Sequence, residues 1–338
     1  MNSDNYLVIG LGSMGKRRVR CLLNLGIAKE SIIGFDLRSD RRAEVEQKYS
    51  VRTVADISEV DFDSVKAVVV SLPPDKHAIG AKIAIDHDKP VFIEANVLLE
   101  DAREIEAYNH GKVLIAPSST LVYHPMIQDI ANIIRSGKYG KVCNFSYHSG
   151  QYLPDWHPWE NVKDFYVGNR ATGGAREIVP FEFTWLVDLF GFPKEVKGHF
   201  RKTIDLGCNI EDSYTCSINY EDMIGVMIVD VVARYAVRNL VINLEKAQIQ
   251  WRWDKKQIEV YEADTKRWLY YSQPEFVANS QYNANIGEQM YINEIKTFLA
   301  AVDGKSSYSN TIEKDIKVLQ LLETIEDSDG GFKRGYLS

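Results

Sequence analysis

The first 120 residues alternate short apolar runs with segments of helical periodicity. The apolar runs are mostly continuous, which is typical of strands buried on both faces of a parallel sheet. The pattern predicts strands at Tyr6–Gly10, Ser31–Leu37, Val65–Leu72, Pro90–Glu94 and Val113–Ala116. It predicts helices at Lys16–Leu25, Arg41–Tyr49, Lys76–Asp86 and Ala102–Tyr108. This order predicts a doubly wound α/β domain of βαβ units over residues 1–122.

The pattern changes after a predicted linking helix at Met126–Ser136. Later apolar runs are joined by turns rather than helices, which indicates an α+β domain over residues 123–338 with one large, mostly antiparallel sheet. Its predicted strands are Lys141–His148, Val196–Ile204, Asp212–Tyr220, Met223–Arg234, Leu240–Trp253 and Gln257–Tyr261. Its predicted helices are Phe181–Phe190, Glu288–Val302 and Ile312–Glu323.

Composition narrows the class of protein. The chain has 338 residues, of which 45% are hydrophobic and 26% charged, so it is an ordinary globular sequence rather than a disordered or fibrous one. A net charge of -7 argues against nucleic acid or an anionic membrane as a partner. The four cysteines form no Cys-x-x-Cys pair, and the start of the chain lacks the features of a secretion signal. We therefore expect a cytoplasmic protein with reduced thiols and no bound metal.

A glycine-rich turn follows the first predicted strand and opens a helix. Gly10, Gly12 and Gly15 form a Gly-x-Gly-x-x-Gly pattern with Ser13 and Met14 between them. In this context the first glycine makes a tight turn, the second admits a pyrophosphate, and the third lets helix and strand pack closely. The turn predicts a dinucleotide-binding site.

Asp36 ends the second predicted strand, where a carboxylate can accept hydrogen bonds from ribose hydroxyl groups. The same carboxylate would repel a 2′-phosphate, which favours NAD over NADP. Arg38, Arg41 and Arg42 lie just beyond and leave NADP open, since guanidinium groups bind phosphates.

Three consecutive basic residues, Lys16, Arg17 and Arg18, stand at the start of the first predicted helix. Positive charge there opposes the helix dipole unless an anion lies nearby. We expect a pyrophosphate to be that anion.

The order of several motifs resembles that of the Gfo/Idh/MocA oxidoreductases over nearly the whole chain. The resemblance implies a Rossmann domain, a nicotinamide cofactor in a cleft, and a sheet whose open face joins subunits into a homodimer or homotetramer. It rests on Gly10–Gly15, Asp36, Ser71-Leu72-Pro73-Pro74 with His77, Glu94, Gly173-Gly174 and Tyr291–Glu294. The cofactor-binding residues expected from these motifs are Gly10, Gly12, Ser13, Met14, Gly15, Asp36, Arg38, Ser71, Leu72, Pro73, His77, Glu94 and Ala95.

Two motifs depart from the family pattern. The family usually has Glu-Lys-Pro after the fifth strand, with the lysine near the reacting hydroxyl, whereas this chain has Glu94-Ala95-Asn96. Phe181 occupies the position of the family's catalytic histidine, and Thr184 that of a common aspartate. None of the replacements is a base near neutral pH, so the proton relay must lie elsewhere or be lost.

The segment 147–166 offers replacement groups. Six of its twenty residues are aromatic and are mixed with polar groups and prolines, which suits either sugar binding or a packed structural loop. Part of it, residues 155–160, resembles a branch associated with surface-glycan sugar synthesis. The expected substrate-binding residues are Tyr152, Trp156, Trp159, Lys163, Arg170 and Arg176.

Three residues are candidates for acid–base catalysis. His157 has an intrinsic pKa near neutrality, and Tyr166 could donate a proton to a carbonyl. Glu177 precedes Pro180, which we interpret as the first residue of a helix, so Glu177 is expected in the loop before it. The leading hypothesis is an NAD-dependent oxidoreductase acting on a sugar-derived substrate. An epimerase or lyase that uses transient oxidation, and an inactive nucleotide- or sugar-binding regulator, remain alternatives.

Overall fold

The computed structural model describes residues 4–156, 161–273 and 287–330. The chain forms two compact units, one from residues 1–120 with 288–317 and the other from 121–287 with 318–338. The strands are Asn5–Ile9 (β1), Ile32–Phe35 (β2), Arg52–Val54 (β3), Val65–Val70 (β4), Val91–Ile93 (β5), Ile115–Pro117 (β6), Val142–Tyr152 (β7), Glu195–Arg201 (β8), Ser213–Asn219 (β9), Ile224–Asp230 (β10), Val232–Leu244 (β11), Ala247–Arg252 (β12), Gln257–Glu262 (β13) and Arg267–Ser272 (β14). The helices are Ser13–Asn24 (α1), Ser39–Tyr49 (α2), His77–Asp86 (α3), Leu99–Asn109 (α4), Pro125–Arg135 (α5), Ala175–Phe190 (α6), Glu288–Val302 (α7) and Ile312–Ser328 (α8).

The first unit contains a six-stranded parallel sheet in the order β3-β2-β1-β4-β5-β6. Central strands such as β4 are buried along nearly their whole length, as the continuous apolar runs predict. The strand order reverses between β1 and β4, and ligands of such sheets bind at the carboxyl ends of the strands at this point. The predicted doubly wound fold is confirmed.

The second unit contains an eight-stranded sheet in the order β14-β13-β12-β11-β7-β10-β9-β8. Among the described strands of this sheet, only β7 and β10 pair in parallel, so the expected mostly antiparallel sheet is confirmed. Residues alternate along β10, where Met227 is buried and Val226 and Ile228 are exposed. One face of the sheet therefore forms the core under α5 and α6, and the other face presents exposed side chains.

The domain boundaries differ from the prediction at the end of the chain. The first unit ends at Thr120, close to the predicted 122, but it also takes up residues 288–317. The reason is burial, because Glu294 of α7 is fully enclosed and pairs with Arg18 of α1 at 2.8 Å. Periodicity within α7 cannot show which sheet the helix joins.

Several predicted strands were wrong in extent. The predicted run Met223–Arg234 is two strands, because the Asp230 carboxylate accepts hydrogen bonds from the backbone N–H groups of Val232 and Ala233 and turns the chain. The predicted run Leu240–Trp253 divides at residues 245–246 into the end of β11 and β12. The short β3 and the edge strand β14 were missed. β3 has only three residues, and β14 has four hydrophobic residues in a row but leaves nearly all of its side chains exposed.

Helix α6 begins five residues before its proline. Gly174 adopts a φ of 64° at the N-cap, and the Ala175 N–H donates to the Glu211 carbonyl at 3.0 Å. Pro180 therefore lies inside the helix, where it removes one internal hydrogen bond. The expectation that Glu177 precedes the helix was wrong, since this residue lies in the first turn.

Candidate active site

The glycine turn after β1 is shaped by close backbone approach. Gly10 has a φ of 90°, and a Cβ atom there would lie 2.6 Å from the Ser71 carbonyl oxygen. A Cβ atom on Gly15 would lie 1.8 Å from the Gly10 carbonyl oxygen, so α1 contacts the turn without room for a side chain. At Gly12 the nearest atom to a Cβ would be the Arg41 guanidinium at 3.5 Å, an ordinary contact. A side chain at Gly12 would thus fill open space before the helix without disturbing the backbone.

The N-terminus of α1 has no side-chain cap, and its first turn has no acidic residue. Its backbone N–H groups are therefore suited to an anion. The sequence suggested that Lys16, Arg17 and Arg18 face a pyrophosphate, but all three form ion pairs with carboxylates of the protein. Lys16 pairs with Glu44 at 2.7 Å, Arg17 with Glu288 at 3.1 Å, and Arg18 with Glu94 at 2.6 Å. The expected pyrophosphate is thus not required to balance these charges, because carboxylates of the same unit do so.

Asp36 lies at the end of β2 with its carboxylate directed at the glycine turn. Its Oδ2 accepts from the Leu11 N–H and its Oδ1 from the Arg38 N–H, both at 2.8 Å. A carboxylate has further lone pairs, which leaves capacity for ribose hydroxyl groups. The Arg38 side chain pairs with Asp40 at the surface, and Arg41 lies 3.5 Å from Asp36.

The carboxyl ends of β4 and β5 bring together the remaining expected cofactor residues. Ser71 donates from its hydroxyl to Glu94 at 3.1 Å, and Glu94 forms two bonds with Arg18. Leu72 and Pro73 lead into α3, whose first residue, His77, is buried. Ala95 is the half-exposed residue in the otherwise buried run 91–97. Ala95, which the order of motifs predicts to stand at the position of the family's lysine, is therefore partly accessible, and its side chain is a methyl group.

These features together fit a dinucleotide. The open cradle at Gly12, the uncapped start of α1 and the Asp36 carboxylate lie at the carboxyl ends of β1 and β2. They match the three demands of NAD, which are close backbone approach, a site for the pyrophosphate and an acceptor for the ribose.

In the second unit, the structure brings two catalytic candidates into contact. The Tyr166 hydroxyl donates to Glu177 Oε1 at 2.8 Å. Burial raises the pKa of Glu177 to about 7, and the Tyr166 hydrogen bond opposes this shift. Glu177 Oε2 is buried and has no hydrogen-bond partner among the described residues. The third candidate, His157, lies outside the described residues.

Tyr166 is held in place by its own loop. The Asn169 N–H donates to the Tyr166 carbonyl at 3.0 Å, and the Thr172 hydroxyl donates to the same oxygen at 3.1 Å. A Cβ atom on Gly173 would lie 2.0 Å from the Val167 carbonyl oxygen, so the loop folds tightly on itself. The Tyr166–Glu177 pair is therefore a preorganised feature.

The expected aromatic substrate-binding residues have different surroundings. The Tyr152 ring lies under the Arg234 guanidinium at 3.7 Å, which covers one of its faces. The Trp156 indole N–H is buried and has no acceptor among the described residues. Trp159 lies outside the described residues.

The expected basic substrate-binding residues are largely paired. Arg170 binds Glu211 at 2.6 Å, and Arg176 binds Glu326 at 2.8 Å. Lys163 is exposed at the surface. The two arginines thus stabilise the loop and the start of α6, which the sequence could not separate from anion binding.

Sequence reasoning missed two buried polar clusters. In the second unit, Glu182 accepts from Tyr147, Ser149, Trp185 and Arg238 and is fully buried. In the first unit, the chain His77, Asn96 and Asp315 joins residues that are far apart in sequence. No local pattern signals either cluster, because each forms only when separate elements meet.

The described residues contain neither a metal-binding cluster nor a helix that could span a membrane. In them, no group of three or more His, Cys, Asp or Glu side chains is arranged to hold a metal ion. None of their helices combines the length and apolar character needed to span a membrane.

Solved structures with the same fold are numerous. An oxidoreductase from Agrobacterium radiobacter, in complex with NAD+, L-tartaric acid and magnesium, has a TM-score of 0.83 and 13% identity, with 97% of this chain and 96% of that chain covered. Levoglucosan dehydrogenase, in complex with NADH and levoglucosan, has a TM-score of 0.81 and 15% identity, with 97% and 98% covered. GenD2 from gentamicin A biosynthesis, in complex with NAD, has a TM-score of 0.77 and 18% identity, with 98% and 95% covered. By sequence, none of the curated proteins matches the chain.

Two family models match successive parts of the sequence. Residues 5–114 match the oxidoreductase family with an NAD-binding Rossmann fold. Residues 127–250 match the Gfo/Idh/MocA C-terminal domain. Together the matches span more than half of the chain and follow the order of the two units. The chain therefore belongs to the Gfo/Idh/MocA family of oxidoreductases, and its first unit is an NAD-binding Rossmann domain.

Proposed function

We propose that the protein is an NAD-dependent oxidoreductase of a sugar or sugar-derived alcohol in which Tyr166 and Glu177 replace the family's usual acid–base pair. The carrying observation is the 2.8 Å hydrogen bond from Tyr166 to a glutamate whose pKa burial raises to about 7. A base with a pKa near the working pH combines a useful ionised fraction with a useful driving force for proton transfer.

The position of Glu177 on α6 supports this role. It lies one helical turn before Phe181, so the two side chains share a side of the helix. Phe181 stands where the family has its histidine, and its ring cannot accept a proton. Glu177 is therefore the ionisable group nearest in sequence to the lost base on that side of the helix.

The chemistry needs one hydride and one proton to leave the alcohol. Bound NAD would supply the acceptor for the hydride. The substrate hydroxyl proton passes to the Tyr166 oxygen as the Tyr166 proton passes to Glu177 Oε1, and the alcohol becomes a carbonyl. In the reverse direction the protonated Glu177 returns the proton through Tyr166.

A sugar-derived substrate is supported by the loop and by relatives of the same fold. The segment 147–166 offers aromatic rings, and the Trp156 N–H has no partner among the described residues. Levoglucosan dehydrogenase has been crystallised with levoglucosan and with L-sorbose, and the Agrobacterium enzyme with L-tartaric acid. Polyhydroxylated substrates are thus the first class to test.

The test is turnover of a panel of sugars and sugar acids, followed by the absorbance of reduced nicotinamide. Glu177→Gln should lower kcat about 100-fold or more with NAD affinity unchanged, since a positioned acid–base group contributes roughly 10²- to 10⁴-fold. Glu221→Gln, at an exposed glutamate of the same unit, is the matched control. Full activity in Glu177→Gln would contradict the proposal. Product formation without net reduction of NAD would instead indicate an epimerase or lyase.

We also propose that the open face of the second unit's sheet joins two or four copies of the chain. On β10, the exposed fractions of Ile224, Val226 and Ile228 are 62%, 50% and 42%. Exposure of this apolar row to water is unfavourable, and contact with a second copy of the chain would bury it. Light scattering at micromolar concentration should show a dimer or tetramer. Val226→Lys together with Ile228→Lys should give monomers, and a monomeric wild type would reject the interface.

A further inference from the structure

A buried polar chain crosses the first unit where β4 and β5 end. His77 Nε2 lies 3.0 Å from the Leu72 carbonyl oxygen, and His77 Nδ1 lies 2.8 Å from Asn96 Oδ1. Asn96 Nδ2 donates to Asp315 Oδ2 at 2.7 Å, and the Asn310 side chain also hydrogen-bonds to the Asp315 carboxyl group. The exposed fractions of His77, Asn96 and Asp315 are 1%, 5% and 3%, so water cannot complete a hydrogen bond that the chain leaves open.

The hydrogen-bond requirements of the chain fix its proton content. Since the Leu72 carbonyl only accepts, His77 Nε2 must carry a proton. If Asp315 is ionised, it takes an N–H from Asn96, the Asn96 oxygen then faces His77, and His77 must be a cation. If Asp315 is protonated, it donates to the Asn96 oxygen, the amide is turned over, and His77 is neutral and accepts at Nδ1. Both arrangements hold the same number of protons.

Burial selects the arrangement without charges. Separating an imidazolium from a carboxylate in a dry interior costs more than keeping both groups neutral. Accordingly, burial lowers the pKa of His77 and raises the pKa of Asp315 to about 7. Three other charged groups face the chain, since Glu94 and Asp101 lie near His77, and Lys314 lies near Asp315.

Loss of the shared proton breaks the chain. An ionised Asp315 requires the Asn96 N–H, which turns the Asn96 oxygen toward the unprotonated Nδ1 of a neutral His77. Two acceptors then face each other at 2.8 Å, and one of the three groups must move. The groups that move belong to the segments after β4 and β5 and to the first turn of α8.

We propose that this chain is a proton-dependent positioning device for the cofactor site, and that affinity for NAD falls when its shared proton is lost. His77 holds the Leu72 segment, and Asn96 is the neighbour of Ala95. Both segments lie at the carboxyl ends of strands, the edge of the sheet where NAD binds in this fold. The proposal rests on that placement of NAD, and it assigns roles to Asn96 and Asp315 that the family pattern does not.

The first test is calorimetric titration of NAD into the full-length protein between pH 6 and pH 8. The wild-type affinity should be up to about tenfold weaker at pH 8, because only the protonated fraction is competent. Asp315→Asn supplies a permanent N–H in place of the acid proton, so its affinity should stay constant over this range. Glu313→Gln, at an exposed position of the same helix turn, is the matched control and should follow the wild type.

The second test reads the chain without NAD. In spectra of protein with ¹⁵N-labelled histidine, His77 should be neutral at pH 6 with its proton on Nε2, its signal being assigned by its loss in His77→Gln. An imidazolium at His77, a pH-independent wild-type affinity, or a wild-type pH dependence in Asp315→Asn would each overturn the proposal. If NAD does not bind at any pH, the cofactor assignment fails, whereas the histidine spectra still decide the proton chain.

Discussion

Glu177 in the second unit and Asp315 in the first unit are both carboxyl groups whose pKa burial raises to about 7. Their surroundings differ. Glu177 has one partner, Tyr166, and its Oε2 has none among the described residues. Asp315 has two side-chain partners, Asn96 and Asn310, and Asn96 links it to His77. A carboxyl group with an uncommitted oxygen can exchange its proton with a ligand. A carboxyl group whose proton satisfies an internal chain instead couples pH to the conformation of its neighbours.

The largest expected effect concerns catalysis by Glu177 as a function of pH. At saturating NAD, oxidation requires the ionised carboxylate, so kcat should rise about tenfold per pH unit below a midpoint near pH 7 and then level off. Reduction requires the protonated acid and should fall above the same midpoint. Stopped-flow rates in both directions measure the two profiles, and a midpoint absent from both would remove Glu177 from the reaction.

A smaller effect is expected when Tyr166 is changed. Its hydrogen bond lowers the pKa of Glu177 against the effect of burial, so Tyr166→Phe should move the midpoint of oxidation to higher pH. It should also lower kcat about 10-fold or more, because the hydroxyl that passes the proton is lost. Thr172→Val removes a hydrogen bond from the Tyr166 backbone but keeps the phenol, and it serves as the control. An unchanged midpoint in Tyr166→Phe would show that the Tyr166 hydroxyl does not affect the pKa of Glu177.

The smallest expected effect is on how the thermal stability of the protein depends on pH through Glu177 and Asp315. A carboxyl group whose pKa is raised by folding stabilises the protein at low pH, and this contribution is lost as the pH rises through the folded-state pKa of about 7. When the pH is raised from 5 to 8, the Tm of the wild type should therefore fall by a few degrees more than the Tm of Glu177→Gln or of Asp315→Asn. Thermal unfolding followed by circular dichroism measures this. A parallel loss of Tm with pH in wild type and variants would contradict the raised pKa values.

Part of the site was visible in the sequence. The continuous apolar runs and the Gly10–Gly15 turn predicted the Rossmann unit, because buried parallel strands and close backbone approach impose strict local residue requirements. That Ala95 and Phe181 replace the family's lysine and histidine stays a prediction, which rests on the place of each residue in an ordered set of motifs. Tyr166 and Glu177 were named as candidates, but their contact was not predictable from eleven residues of irregular loop and helix start.

The tertiary structure decided which charges are committed. Arg17 and Arg18 have the same local appearance as phosphate-binding residues, yet they pair with Glu288 and Glu294, more than 250 positions away in the chain. The link from Asn96 to Asp315 spans a similar distance. Local sequence determines strands, turns and the residue types on offer, because these depend on neighbours along the chain. Burial and the partner of each ionisable group depend on elements that meet only in the folded protein, and these determine which carboxyl group is available for chemistry.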